Sequence, residues 1–144
     1  MIFRLPRRLG FLFLLLLLSG CGDGRLSLQG NVSINGTPIQ EGAITFQPLV
    51  GTPEFNTSTG AAIINGRYSV AAKRGLIPGE YRVTVSATED SGQVDYMGNP
   101  IPRNIVPPKY RTESELTISV AKGKSYDFDL VVNKEDFTNV PYAR

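Results

Sequence analysis

Between residues 26 and 132, apolar and polar residues alternate in short stretches, which is the pattern of strands with one buried face. The clearest stretch is 81–87, where Tyr81, Val83 and Val85 share one side and polar residues occupy the other. No segment after residue 21 has the apolar spacing of an amphipathic helix. The alternation predicts seven strands, at residues 26–34, 43–47, 61–64, 67–71, 81–87, 115–120 and 126–132.

Turn signals join several of these strands. Asn35-Gly36 and Asn65-Gly66 each follow a predicted strand, and both positions of a two-residue hairpin turn require positive φ. Each strand has an apolar face that another layer must cover, and two antiparallel sheets packed face to face do so. We therefore expect an all-β fold, a seven-stranded antiparallel β-sandwich over residues 26–132, with a tail of no clear pattern at 133–144.

The first 20 residues follow a different pattern. Three arginines among the first eight residues precede the apolar run Leu9–Leu18, and Ser19-Gly20-Cys21 comes next. Ten helical residues span about 15 Å, which is half the thickness of a bilayer core. Residues 1–20 are therefore predicted to be a cleaved secretory signal peptide rather than a membrane-spanning helix.

The end of this segment, Leu18-Ser19-Gly20-Cys21, resembles the lipobox of bacterial lipoproteins. The resemblance implies that the Cys21 thiol receives diacylglycerol and that a signal peptidase cuts between Gly20 and Cys21. The alternative is an ordinary signal peptide that happens to end near a cysteine.

A lipidated Cys21 would place the protein on the exported side of the cell membrane or the outer membrane. Residues 21–25 would be the lipidated cysteine and a short tether. The four residues after Cys21 reach about 13 Å when extended, so the sandwich is expected to lie close to the membrane.

The composition narrows the chemistry of the domain. The 144 residues include one cysteine, no histidine and no tryptophan, which excludes Ser-His-Asp triads, histidine-bound metals and internal disulfides. The net charge is +2, but without residues 1–20 the chain has 12 basic and 13 acidic residues. That balance gives no sign of the basic patch of nucleic-acid-binding proteins. We expect no enzyme activity, no cofactor and no nucleic-acid partner.

Several motifs resemble a known family. The stretch Gly75–Val85, GLIPGEYRVTV, is similar to a strand and its preceding turn in carboxypeptidase regulatory-like domains, which are transthyretin-like β-sandwiches. Asn65-Gly66-Arg67-Tyr68 resembles a hairpin of the same domains. The C-terminal half resembles small exported lipoproteins of environmental bacteria, planctomycetes especially, that carry this domain. The matching segments there are Ile105–Tyr110, Leu116–Ile118 and Phe128–Leu130. The resemblance implies an accessory domain without catalytic residues.

The long segment 88–114 is the candidate partner-binding loop, because loops of this length in compact domains are often functional. The residue types favoured at interfaces that we single out there are Tyr96, Met97, Asn99, Arg103 and Tyr110. The alternative is an ordered loop that lies over the open end of the sandwich.

Acidic residues raise the question of calcium, which prefers six to eight oxygen ligands. Asp127 and Asp129 share one strand face, and Glu89, Asp90 and Asp95 are further candidates. The favoured interpretation is a solvated outer face, so no metal site is predicted. The basic segments 72–75 and 122–124 are likewise expected to be solvated turns.

These observations together predict a lipid-anchored protein of the cell envelope whose sandwich is a non-catalytic binding or structural module. Its expected partners are the membrane, through the anchor, and an envelope protein or glycan. Two alternatives are a carbohydrate-binding module, with Tyr96 and Tyr110 as its aromatic pair, and an accessory subunit of an envelope complex. A hydrolase is the least favoured function.

Overall fold

The computed structural model describes residues 24–50 and 57–137. The predicted signal peptide, Gly20 and Cys21 lie outside the described residues. No helix in the two described ranges is long and apolar enough to cross a membrane. The strands are β1 (Leu28–Ile34), β2 (Thr37–Pro38), β3 (Glu41–Pro48), β4 (Thr59–Ile64), β5 (Arg67–Val70), β6 (Gly79–Ser86), β7 (Thr88–Val94), β8 (Pro100–Asn104), β9 (Thr117–Val120) and β10 (Phe128–Leu130). Three 3₁₀ turns occupy Ala72–Arg74, Pro108–Tyr110 and Lys134–Phe137.

The seven predicted strands are present as β1, β3, β4, β5, β6, β9 and β10. They form one curled sheet in the order β10-β1-β5-β4-β3-β6-β9, with β2 paired to β1. A single ladder pair, Ile64 with Arg67, joins β4 to β5, so the sheet folds at this hairpin and its two halves face each other. The all-β, sandwich-like fold is confirmed.

The space between the two halves is filled by the apolar faces that the alternation identified. The Phe46 ring of β3 lies 5.7 Å from the Tyr68 ring of β5, which lies 6.3 Å from the Phe128 ring of β10. The other fully enclosed core side chains include Leu28, Val32, Ile44, Ile63, Val70, Val83, Val85 and Val106. Because apolar burial is the main favourable term in folding, this core holds the two halves together without a disulfide.

Both predicted tight turns are confirmed by their backbone angles. Asn35 and Gly36 have φ values of 49° and 79°, and Asn65 and Gly66 have φ values of 50° and 76°. Positive φ at both central positions defines the hairpin turn that asparagine followed by glycine favours. These turns set the register of β1 with β2 and of β4 with β5.

One strand pair runs parallel within the otherwise antiparallel curled sheet. β10 lies beside β1 with Val32 opposite Phe128 and Ile34 opposite Leu130. Antiparallel direction is imposed on strands joined by a short hairpin, whereas these two strands are far apart in the chain. The direction of β10 follows instead from the turn at residues 121–125, which reverses the chain after β9.

The segment 88–114 is not a loop, and this part of the sequence interpretation was wrong. β7 and β8 form a separate antiparallel hairpin, and the segment then continues into a 3₁₀ turn at Pro108–Tyr110. Neither face of the hairpin is buried, so its sequence lacks the alternation that reveals other strands. Pro100 and Pro102 also suggested a loop, but proline is compatible with an edge strand.

The backbone of another segment approaches closely at Gly30, in the middle of β1. A Cβ atom at this position would lie 1.8 Å from the Tyr126 carbonyl oxygen. The same oxygen accepts a hydrogen bond of 2.8 Å from the Tyr68 hydroxyl. Glycine at position 30 therefore lets the chain entering β10 lie directly against β1.

We predict that Gly30→Ala lowers the free energy of unfolding by more than about 3 kcal/mol, since the methyl group would overlap backbone that cannot move without opening the core. Urea unfolding of the purified protein measures this. The control is Gly123→Ala, which has open space around the added atom and should cost only about 1 kcal/mol for its positive φ. Equal losses for the two variants would contradict the role given to Gly30.

Candidate functional site

The β7–β8 hairpin, residues 88–104, projects from the sandwich and is called the arm below. Its two strands pair with each other and with no other strand of the described chain. Every arm residue is exposed or half-buried. A two-stranded hairpin alone is marginally stable in water, so the arm depends on its own turn and cross-strand contacts for order.

The arm leaves the sandwich at the end opposite the described N-terminus. Leu26 bridges to Leu76, shortly before β6 begins at Gly79, and β6 then runs about 23 Å along the sandwich. The arm starts just beyond the far end of β6, where the Ile105 amide donates a 3.1 Å hydrogen bond to the Ala87 carbonyl. The length of the sandwich thus separates residue 26 from the base of the arm.

The tip of the arm is apolar and exposed. Tyr96 is 98% exposed, Met97 is 71% exposed, and the neighbouring Val94 is 63% exposed. Large apolar side chains grouped on an otherwise polar surface mark interaction sites more often than scattered single residues do. The structure therefore brings together two of the five residues singled out in this segment, Tyr96 and Met97.

Asp95 holds the turn that presents them. Its carboxylate accepts hydrogen bonds from the Met97 amide at 2.8 Å and from the Asn99 amide at 2.9 Å. The Gly98 amide donates to the Asp95 carbonyl at 3.0 Å. The hydrogen bonds from the Asn99 backbone and side chain, followed by that from Met97, hold the pKa of Asp95 below its ordinary value. The turn at the tip is therefore preorganised by hydrogen bonds within the arm.

Asn99 stabilises the turn at the tip, and Arg103 stabilises the strands of the arm. The Asn99 side-chain amide donates to the Asp95 carboxylate at 3.1 Å. Arg103 on β8 forms an ion pair across the hairpin with Glu89 on β7. The Glu89–Arg103 contact supports the hairpin register, because cross-strand pairs are the local stabilising unit of a two-stranded sheet.

Tyr110 lies away from the tip. Its hydroxyl donates to the Val131 carbonyl at 3.1 Å, and the side chain packs against the core. Lys109 lies 5.2 Å from the Tyr110 ring centroid and forms a 2.8 Å ion pair with Asp136. Since Tyr96 is almost fully exposed, the two tyrosines do not form one aromatic platform.

The acidic residues considered as calcium ligands are occupied by hydrogen bonds. The Asp127 carboxylate accepts from the Asn31 amide at 2.7 Å, and the Asp129 carboxylate accepts from the Gly36 amide at 2.8 Å and the Ser33 hydroxyl at 2.7 Å. The hydrogen bonds from Gly36 and then Ser33 hold the pKa of Asp129 below its ordinary value. In the described part of the chain, no group of three or more acidic, cysteine or histidine residues could hold a metal ion.

Sequence reasoning missed the role of Asp95, although a signal for it was present. Asp95-Tyr96-Met97-Gly98 has aspartate at the first and glycine at the fourth position of a β-turn, which are the residues such turns favour there. This signal marks the tip, but the two strands on either side carry no pattern that identifies them.

The comparisons with known proteins add no functional information. No protein-family model and no curated protein matches the chain. A solved structure of a 9R-lipoxygenase from Cyanothece PCC8801 is similar over 80% of this chain and 17% of its own length, with 15% sequence identity and a TM-score of 0.34. The chain thus spans less than a fifth of that protein's length, and a likeness this weak carries no argument.

We predict that the tip turn loosens only under strong acid. The Asp95 carboxylate supports the turn above its ordinary pKa of 3.8, and because its pKa in the folded arm is lower, this support is lost as the pH falls through that lower value. NMR amide shifts of Met97 and Asn99 should titrate together below pH 3.8. Asp95→Asn should abolish this inflection. An inflection at or above that pH in the unmodified protein would contradict the assignment.

Proposed function

We propose that this chain is a lipid-anchored protein of a bacterial cell envelope whose β-sandwich displays the arm to a protein partner. In this proposal a signal peptidase cuts between Gly20 and Cys21, and Cys21 carries the lipid. The domain is non-catalytic and acts by position and shape. The observation that carries the proposal is the exposed apolar tip, Tyr96 and Met97, on an arm that starts at the far end of the sandwich from the N-terminus.

The placement of the two ends supports display away from a membrane. Gly24, the first described residue, lies three positions after Cys21, so a lipid on Cys21 would hold the Leu26 end of the sandwich at the bilayer surface. The arm starts beyond β6, about 23 Å further along. An anchor at one end and an arm at the other would present the tip to a second component of the envelope.

The chemistry of the tip favours a protein over a glycan. Tyrosine and methionine are enriched at protein interfaces, and methionine adapts to irregular apolar surfaces. A glycan-binding platform would need a second aromatic ring beside Tyr96, and Tyr110 is packed against the core instead. The accessory-subunit function is therefore preferred to the carbohydrate-binding alternative.

We further propose that the domain belongs with the carboxypeptidase regulatory-like, transthyretin-like sandwiches that its motifs resemble. The burial of two motif residues supports this proposal. Leu76 is buried, and Tyr81 buries its ring while its hydroxyl donates to the Ile77 carbonyl at 3.0 Å. Burial raises the pKa of Tyr81.

We predict that the mature protein begins at Cys21 and carries a diacylglycerol group. In a bacterial host that processes lipoproteins, mass spectrometry of the N-terminal peptide should show the added lipid mass. Cys21→Ala should leave the protein unprocessed or release it from the membrane fraction. Normal cleavage and full membrane retention of Cys21→Ala would contradict the anchor.

We predict that the double variant Tyr96→Ser, Met97→Ser crosslinks to at least about tenfold less of the envelope partner than the unmodified protein does. The reason is that large apolar anchors dominate interface energies. Crosslinking in intact cells followed by quantitative mass spectrometry measures this. The control is Val131→Ser, which changes an exposed apolar residue outside the arm. A crosslinked protein lost only from the arm variant supports the proposal. Identical crosslinks for both variants, or crosslinks to glycan alone, would count against it.

A further inference from the structure

The end of the sandwich opposite the arm brings together segments that are far apart in the chain. β6 begins at this end, where Gly79 pairs with Val120 at the end of β9. Leu26 and Leu76 meet there through two backbone hydrogen bonds of 2.7 and 3.1 Å. This end is called the basal face below, and it comprises residues 24–26, 49–50, 72–80 and 121–125.

The basal face is basic, whereas the arm is acidic. Five residues of the basal face are basic and one, Glu80, is acidic, while the arm has three acidic residues and one basic residue. The basic residues of the basal face are Arg25, Lys73, Arg74, Lys122 and Lys124. Its three lysines are exposed, and in the described part of the chain none of them forms an ion pair. Their charges are therefore available to an external anionic surface.

The basal face also exposes two aliphatic side chains, Leu49 and Val50. Val50 is 91% exposed and Leu49 is 43% exposed. The two residues directly follow β3, and the Leu49 amide donates a 3.0 Å hydrogen bond to the Glu80 carbonyl, which holds them beside the start of β6. Binding at a membrane interface combines the burial of apolar side chains with the attraction of basic residues to anionic lipids. Both components are present at this end of the sandwich.

We propose that the basal face binds directly to an anionic lipid surface, with Val50 in the headgroup region and the lysines beside lipid phosphates. The position of the N-terminus favours a membrane as the occupant. The chain enters the sandwich at this face, where the Arg25 guanidinium donates to the Gly75 carbonyl at 3.1 Å. The proposal rests on the proposed function in one respect, since a lipid on Cys21 would bring this face to the bilayer. A second contact would then restrict the tilt of the sandwich, which a lipid tether alone leaves free.

The exposed aliphatic pair favours a membrane over a soluble polyanion. An acidic protein or a nucleic acid would attract the same lysines, but only a bilayer offers an apolar layer directly behind its charged groups. Each basic residue near an anionic membrane strengthens binding about fivefold. The lysines therefore supply most of the attraction, and Val50 distinguishes the lipid surface from other anions.

The test uses an unacylated chain that starts at residue 21 with Cys21→Ser, because residues 1–20 and an attached lipid would each bind vesicles by themselves. This chain keeps every described residue. Co-sedimentation with vesicles of equal parts phosphatidylglycerol and phosphatidylcholine measures binding. We expect binding that is lost on vesicles of pure phosphatidylcholine. It should also weaken with salt, which shortens the Debye length from about 10 Å at 0.1 M to about 3 Å at 1 M.

Two triple variants that remove the same charge locate the contact. The basal variant changes exposed lysines of the basal face, Lys73→Gln, Lys122→Gln and Lys124→Gln. The control variant changes exposed basic residues outside it, Arg67→Gln, Arg82→Gln and Lys134→Gln. The basal variant should bind at least about tenfold more weakly. The control should bind within about threefold of the unmodified chain, because charge contributions fall off within a Debye length of the membrane.

The role of Val50 is tested by fluorescence, because the chain contains no tryptophan. On the vesicles that contain phosphatidylglycerol, Val50→Trp should show a blue-shifted emission as its indole leaves water. The control is Ile64→Trp, at an exposed apolar position in the β4–β5 hairpin, and its emission should stay unchanged.

Four results would each overturn the proposal: no vesicle binding, equal binding to pure phosphatidylcholine, equal losses for the two triple variants, or an unshifted emission of Val50→Trp. Tighter binding to soluble polyglutamate than to vesicles would also overturn it, in favour of an acidic protein partner. The proposed function fails separately, through absence of the lipid on Cys21 or of the crosslink that depends on the arm.

Discussion

The close contact between Gly30 and the Tyr126 carbonyl is the constraint on which the rest of the sandwich depends. The contact lets β10 lie beside β1 although the two strands are far apart in the chain. The same carbonyl accepts the Tyr68 hydroxyl, whose ring packs between Phe46 and Phe128. Burial, with a smaller contribution from Asp127, raises the pKa of Tyr68. One backbone contact thus aligns the aromatic centre of the core.

Because no side chain of the arm belongs to this core, the shape of the arm depends on its local contacts. Its turn is held by Asp95 and its strands by the Glu89–Arg103 pair. Neither contact buries apolar surface, and the apolar residues at the tip remain in water. The sandwich core does not involve the arm, and the arm is exposed. This arrangement supports the proposed display function.

The sequence predicts the parts of this structure in which one strand face is buried. The alternation at 81–87 and the two asparagine–glycine turns led directly to elements that the structure contains. The apolar–polar alternation does not identify the strands at residues 88–104. Both faces of these strands are in water, so no face has to be apolar. The short ladder between β4 and β5 could not be predicted either, because the end of a ladder depends on how the two sheet halves pack.

In the proposed function, a lipid on Cys21 holds one end of the sandwich at the membrane and leaves the arm pointing away. This arrangement is tested most directly by fluorescence quenching from headgroup-labelled lipids, with the lipidated protein in vesicles. A fluorophore is attached in turn through Ser27→Cys and Met97→Cys. The account predicts strong quenching at position 27 and little at position 97. Equal quenching at the two positions, or a protein that does not stay with the vesicles, would contradict it.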